Sequence, residues 1–396
     1  MTQQSLPVSG TLPLLLAVAV VGSNSLSLGP IAPAVAVDLQ TSVETVMIAS
    51  AGFGFGTAVG ALLLARWVDY FGPVIVLRIS FTILLVAMLG CALSPSIPVL
   101  VISQIVSGVA AGVALPAVYS RAGQIAPAGH ESRVLGMVLV GWTISMVAGV
   151  SLAALIAGAI GWRSVYFFLT LLSLLVMISV FFMRERGARS EVNANGRVAP
   201  SPLRALAVPD VPHYLILVAL YMVAFYACYA FIGDHVVSVL QRPVGDNGGI
   251  AISYGLGFGL AAFADGLLDR LGNRRAAPLT LFMLVFVYLL LSIPMNFGAL
   301  LGVCFLWGLF NHLGVNVLIA ALSAADVEQR GTVLGLYSGV TYLCMSLATL
   351  AAGFIYPSAG WHALTLSAMC MCALAAALAV RQNRSLTSPL LTALKN

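Results

Sequence analysis

The sequence predicts an all-α membrane protein of twelve transmembrane helices in two pseudo-symmetric six-helix bundles, and three observations carry that prediction. Apolar residues fill 61% of the 396 positions and charged residues only 8%, against roughly one quarter charged in a soluble domain. A bilayer core takes about 20 apolar residues per helix, and the chain offers twelve stretches of that length. The pattern also repeats. Asp69 and Gly72 close one apolar segment, and Asp269 and Gly272 close another 200 residues later; Gln104 to Gly108 matches Cys304 to Gly308 at the same offset, and Gly161-Trp162 matches Gly360-Trp361 at 199. Repetition on this scale in an apolar chain marks two copies of one membrane unit.

The spans follow in order. The first, near 12–36, carries Ser23, Asn24 and Ser27 at mid-depth, and residues 1–11 hold no Lys or Arg; the basic region of a cleaved signal peptide is missing, so a permanent helix is expected. The second, 44–65, places Gly52, Gly56 and Gly60 at four-residue spacing, a smooth ridge for close helix approach or for sliding. The third, 74–93, is read from length and hydropathy. The fourth, 97–119, carries Gln104 and Ser107 with a second ridge at Gly108 and Gly112; the fifth, 134–159, carries Trp142 and Ser145 with Gly149, Ala153 and Ala157. The sixth, 163–183, ends the N-terminal bundle, residues 1–183. Residues 184–211 form the longest polar stretch, with five arginines, Glu185, Glu191 and Pro202; they read as a cytoplasmic linker, either a plain tether or one with a short surface helix near 202–207.

The C-terminal bundle and its short tail, 212–396, open with a seventh span at 212–236 containing Tyr221, Tyr226 and Tyr229. The eighth and ninth are expected near 248–268 and 276–295, and the tenth, 298–322, carries Trp307, Asn311, His312 and Asn316. The eleventh and twelfth fall near 333–355 and 361–380. With both termini inside, sixteen basic residues lie at the inner surface and only Arg163 and Arg242 outside, as the positive-inside rule requires. The net charge of +5 then belongs to a rim facing anionic lipid, and nucleic acid is a poor partner for it.

Missing chemistry excludes several classes. The only lysine is Lys395, so no phosphate loop exists and the chain cannot be its own ATPase. The five histidines sit on separate segments, and His130-Glu131 has no second histidine at zinc spacing; no metal or cofactor is expected. The six cysteines lie in apolar context without a CxxC pair and read as packing residues. No clustered nucleophile and base marks an enzyme.

Ala65 to Arg78, with Asp69 and Gly72, resembles the cytoplasmic loop motif Gly-x3-Asp-x2-Gly-Arg-Lys/Arg of the major facilitator superfamily, and Asp265 to Arg275, with Asp269, Gly272 and Arg274, resembles its second copy. Arg133 through Gly149 to Gly161-Trp162-Arg163 is similar to the fifth span and following turn of the twelve-span drug and sugar efflux branch. The resemblance covers nearly the whole chain. Departures are specific: Ala65 replaces the motif glycine, Pro73-Val74 replaces its basic pair with Arg78 one turn further on, and Gln104 stands where proton-coupled members carry arginine. Gly149-Val-Ser151-Leu-Ala153 stands where antiporters read Gly-x-Pro-x-Gly.

The resemblance implies a monomeric secondary transporter of the bacterial inner membrane that works by alternating access. It makes Asp69, Gly72, Asp269, Gly272 and Arg274 a conformational latch, each carboxylate capping the positive end of a facing helix, a contact of roughly 0.3–2 kcal/mol. It also places the first, fourth, seventh and tenth spans around a central cavity. The residues expected to bind substrate are Asn24, Ser27, Gln104, Trp142, Tyr226, Tyr229, Trp307, Asn311 and His312, an aromatic and amide-bearing set that suits uncharged, amphipathic or weakly cationic organic molecules. Each could equally serve interhelical packing or hydrogen bonding. His312 and Asp234 are the groups that could carry a coupling proton. The expected function is proton-driven efflux of drugs, sugars or metabolites, an antiporter of the kind that confers multidrug resistance; an uptake carrier or uniporter for an uncharged metabolite, and a membrane sensor that binds without transport, remain as alternatives.

Overall fold

The computed structural model of the chain describes residues 8–127, 130–183, 202–326 and 329–393. The linker at 184–201 and the side chains of Asp69 and Asp269 lie outside the described residues. Every regular element among the described residues is helical. Ten membrane-length helices run Gly10–Asp38, Val43–Leu64, Pro73–Ala92, Ile97–Ile125, Val134–Ile160, Trp162–Phe181, Val211–Val239, Val244–Ala264, Asn273–Ser292 and Phe297–Ala325, and are called spans 1 to 10. An eleventh stretch, Gly331–Gln382, is 52 residues long, twice what one crossing needs. Gly360, at φ 72° and ψ −174°, breaks it, giving span 11 before that residue and span 12 after it. A short helix, Pro202–Leu206, precedes span 7.

Contacts divide the chain into two compact units, residues 1–199 with 230–252, and residues 200–229 with 253–396. The first unit therefore holds the end of span 7 and the start of span 8 as well as spans 1 to 6. Both units show the repeat in their backbone. The positive-φ glycines among the described residues are Gly72 (85°), Gly161 (95°), Gly272 (71°) and Gly360 (72°), the two pairs that recur in the sequence. Only glycine enters this region without steric penalty, and each of the four ends one helix and starts another.

The Gly-Trp turns serve the same purpose in each unit. Trp162 Nε1 donates to Asp38 Oδ2 at 3.1 Å, Arg163 pairs with the same carboxylate, and Arg163 Nη2 donates to Ser94 O at 3.0 Å; the turn thus ties spans 1, 3 and 6. In the second unit Trp361 Nε1 donates to Leu291 O at 2.9 Å and His362 Nδ1 lies 2.8 Å from Ser292 O, which ties span 12 to the end of span 9. Arg78, one turn beyond the altered loop motif, caps the end of span 6 through Phe181 O and Met183 O, both at 2.8 Å.

Glycine ridges set the closest crossings. A Cβ on Gly56 would strike Ile105 O and one on Gly108 would strike Phe53 O, so spans 2 and 4 meet backbone to backbone. The second unit reproduces this: a Cβ on Gly257 would strike Phe305 O and one on Gly308 would strike Tyr254 O. Span 1 meets span 5 in the same manner, since a Cβ on Gly141 would strike Leu15 O. Span 5 answers with a π-helical turn at Ser145–Val150.

Within the first unit, the start of span 8 is clamped to span 1. Asn247, only 1% exposed, donates from Nδ2 to Pro30 O at 2.7 Å and to Gly233 O at 3.2 Å. A Cβ on Gly233 would come within 2.8 Å of Pro30 Cα, and one on Gly158 within 3.0 Å of Gly245 N. Asn247→Leu keeps roughly the side-chain volume and removes both donations, at about 0.5–1.5 kcal/mol each. Hydrogen exchange in peptides from 230–252 should accelerate about tenfold or more, while peptides from span 3 stay unchanged; equal protection in the variant would remove Asn247 from this role.

Candidate functional site

Each unit carries buried polar side chains inside its membrane spans. In the first, Asn24 of span 1 is 2% exposed and Gln104 and Ser107 of span 4 are 1% and 0%. Asn24 Nδ2 donates to Ser107 Oγ at 3.1 Å and to Gln104 Oε1 at 3.4 Å. Gln104 Nε2 donates in turn to the hydroxyl of Tyr166 in span 6 at 2.8 Å. Gln104 stands where an arginine would bring a positive charge, so this chain of groups is neutral throughout. Both amide nitrogens donate within the cluster, and Asn24 Oδ1 is left buried with no partner. A buried acceptor left unpaired costs about 1–3 kcal/mol, which makes that oxygen a ready partner for an incoming donor.

The other expected residues of the first unit are placed differently. Ser27 Oγ donates to Ser23 O within its own helix, a back-bond that leaves it little for a ligand. Trp142 Nε1 donates to the hydroxyl of Tyr119 in span 4 at 3.2 Å, and a Cβ on Gly22 would lie 3.0 Å from its ring. Asp234 belongs to the first unit and accepts from Ser238 Oγ at 3.0 Å, one turn on.

The second unit gathers aromatic rings. Phe225, Tyr229, Tyr254 and Trp307 form a four-ring group, with Phe225 5.3 Å from Tyr229, 5.5 Å from Trp307 and 5.8 Å from Tyr254, and Tyr254 5.3 Å from Trp307. Such tilted and edge-on contacts contribute about 0.5–1.5 kcal/mol per pair beyond burial. Trp307 is 1% exposed and donates from Nε1 to Tyr288 OH at 3.2 Å. Asn311 joins the group, its Nδ2 donating to Tyr254 OH at 2.5 Å and its carbonyl accepting from Tyr221 OH at 2.9 Å; Asn311 Oδ1 is buried without a partner. Tyr226 stands beside this group, half-buried, with its ring 4.9 Å from Phe225.

His312 has a partner that its sequence neighbours do not show. Its Nε2 lies 3.3 Å from Asp265 Oδ2 and 3.0 Å from Asn316 Nδ2, while Phe258 covers the ring edge-on at 4.8 Å. Asp265 follows span 8 where a 3-10 turn, Ala261–Ala264, brings it against span 10. His312 Nδ1 and Asp265 Oδ1 are both buried without partners. A carboxylate and an imidazole at this separation can share or exchange one proton.

Sequence reasoning singled out Gln104, Trp142, Trp307, Asn311 and His312 but missed their partners Tyr166, Tyr119, Tyr288, Tyr254 and Asp265. Asp265 was visible only as the residue in the glycine place of the second loop motif. Among the described residues no group of three or more His, Cys, Asp or Glu side chains could hold a metal ion.

Comparison with known proteins places the chain. The family model of the Major Facilitator Superfamily matches residues 14–349 and again 244–391. The chain is 26% identical over 369 residues to the uncharacterized MFS-type transporter YwfA of Bacillus subtilis (strain 168), covering 92% of this chain and 90% of that one. It is 29% identical over 273 residues to the chloramphenicol resistance protein of Streptomyces lividans, covering 66% and 67%. Among solved structures, a bacterial homolog of the human lysosomal transporter Spinster aligns with a TM-score of 0.76 over 96% of this chain and 98% of that one, at 13% identity. Repeat, spans and family model agree, and the chain belongs to the Major Facilitator Superfamily of membrane transporters.

Proposed function

We propose that this transporter exports small uncharged, amphipathic or weakly cationic organic molecules across a bacterial inner membrane, with both termini cytoplasmic, in exchange for protons bound at His312 and Asp265. The observation that carries the coupling is the 3.3 Å approach of His312 Nε2 to Asp265 Oδ2, a titratable pair beside buried aromatic rings. The substrate class rests on the neutral amides of Asn24, Gln104 and Asn311 and on the rings of Tyr229, Tyr254 and Trp307. The likeness to a chloramphenicol resistance protein favours efflux over uptake.

One proton moving through about 100 mV gains roughly 2.3 kcal/mol, enough for about a fiftyfold gradient of an uncharged solute. Purified protein in proteoliposomes should therefore accumulate substrate against its gradient when an acid interior is imposed, and should acidify or alkalinise a weak buffer as substrate moves. Counterflow without any response to the proton gradient would favour a uniporter, and binding without counterflow would favour a sensor.

A further inference from the structure

Two depressions in the second unit lie in file along span 9. The first, about 400 Å³, is lined by Asp210 and Tyr214 at the start of span 7, by Asn273, Arg274 and Arg275 at the start of span 9, and by small residues at the end of span 10. All three elements begin or end there, so the chamber sits where a membrane gives way to water. The second, about 700 Å³, is an apolar groove between spans 9 and 12, walled by Leu279, Phe282, Val285, Ala376 and Val380 with Arg381 at its rim.

Arg275, Leu279 and Phe282 are four and three residues apart, which puts them on one stripe of the helix; the basic chamber lies one turn from the groove. Leu279 and Phe282 are 43% and 61% exposed, as residues facing hydrocarbon are. Charge in the chamber is positive on balance, two guanidiniums against the carboxylate of Asp210. That carboxylate is already engaged, accepting from Gln382 Nε2 at 2.7 Å. Arg275 forms no ion pair among the described residues.

We propose that this face binds one anionic phospholipid, its phosphodiester held by Arg274 and Arg275 and an acyl chain lying along the groove. A guanidinium fork matches two phosphate oxygens, and basic chambers between spans at the membrane surface suit acidic head groups. A phosphate anion alone would use the chamber but not the groove. The occupant is taken as the lipid because both features share one helix.

The test is native mass spectrometry of the full chain in detergent, mixed with phosphatidylglycerol, phosphatidylcholine or inorganic phosphate. One phosphatidylglycerol should stay bound under conditions that strip phosphatidylcholine. Arg274→Gln with Arg275→Gln should weaken it about thirtyfold, and each single change about fivefold. Ala376→Phe, which fills the groove, should weaken the lipid as well, whereas Asp210→Asn should tighten it. The opposite sign of that last change separates a binding effect from general damage to the fold. Equal retention of both lipids, unchanged retention in the double variant, or displacement by millimolar inorganic phosphate would each overturn the assignment, the last in favour of a free-anion site.

Discussion

Gly308→Val should leave little folded protein. A Cβ at this position already strikes the carbonyl of Tyr254 and lies 2.9 Å from Phe258 N, and neither atom can move without moving span 8. Valine adds two methyl groups to that overlap. Overpacking inside a close-packed interior costs typically about 1–3 kcal/mol and more where backbone is the obstacle, against a total stability of roughly 5–15 kcal/mol. The same displacement would pull Tyr254 away from Asn311 and Trp307, so the ring group would loosen with the crossing. Gly108→Val should act likewise in the first unit, through Phe53 O and Thr57 N. Gly302→Ala on the same helix as Gly308 meets nothing within 4 Å and should be neutral. Apparent melting temperatures in detergent should fall on the order of 10 °C or more for the two valine variants. A Gly308→Val protein as stable as Gly302→Ala would show that spans 8 and 10 do not meet at this glycine.

What the sequence revealed and what it concealed divide along a physical line. Glycine leaves a legible signature because a left-handed turn or a backbone contact admits no other residue cheaply, so Gly72, Gly161, Gly272 and Gly360, which mark the repeat in the sequence, are also the glycines with positive φ among the described residues. Apolar length likewise gave the spans, with one exception of form. The join between spans 11 and 12 is a single positive-φ residue rather than a loop, since Gly360 turns the chain without interrupting the hydrophobic run. Polar partners were harder to read. Gln104 meets Tyr166, 62 positions away, and Asn311 meets Tyr254, 57 positions away; a tyrosine in an apolar helix carries no mark of which helix its hydroxyl faces. Tyr226 and Tyr229 share a helical face in the sequence, yet Tyr229 joins the four-ring group while Tyr226 stands beside it, its ring against Phe225. Asp265 was disguised by its surroundings, as one more acid of a polar loop, until the 3-10 turn before it set its side chain against His312.

Asp265→Asn should abolish uphill transport while sparing exchange. The substitution keeps the shape and the hydrogen-bonding reach of the side chain, so His312 Nε2 retains a partner near 3.3 Å and the fold should be unaffected. What it removes is the ability of the pair to take up and release a proton across the cycle, because an amide does not titrate. Among the described residues, the groups set against this pair are Phe258 and Asn316, both uncharged. With coupling intact, one proton at about 100 mV supports roughly a fiftyfold gradient. With coupling lost, the ratio of inside to outside substrate should collapse to about one, whereas counterflow, which needs only binding and alternation, should run at a rate within a fewfold of the parent. His312→Ala should produce the same split, and the double variant should be no worse than either single one, since the two residues act as a unit. Retention of a proton-driven gradient in Asp265→Asn would assign coupling to another group, with Asp234 the next to test; loss of gradient and counterflow together would make Asp265 a structural residue instead.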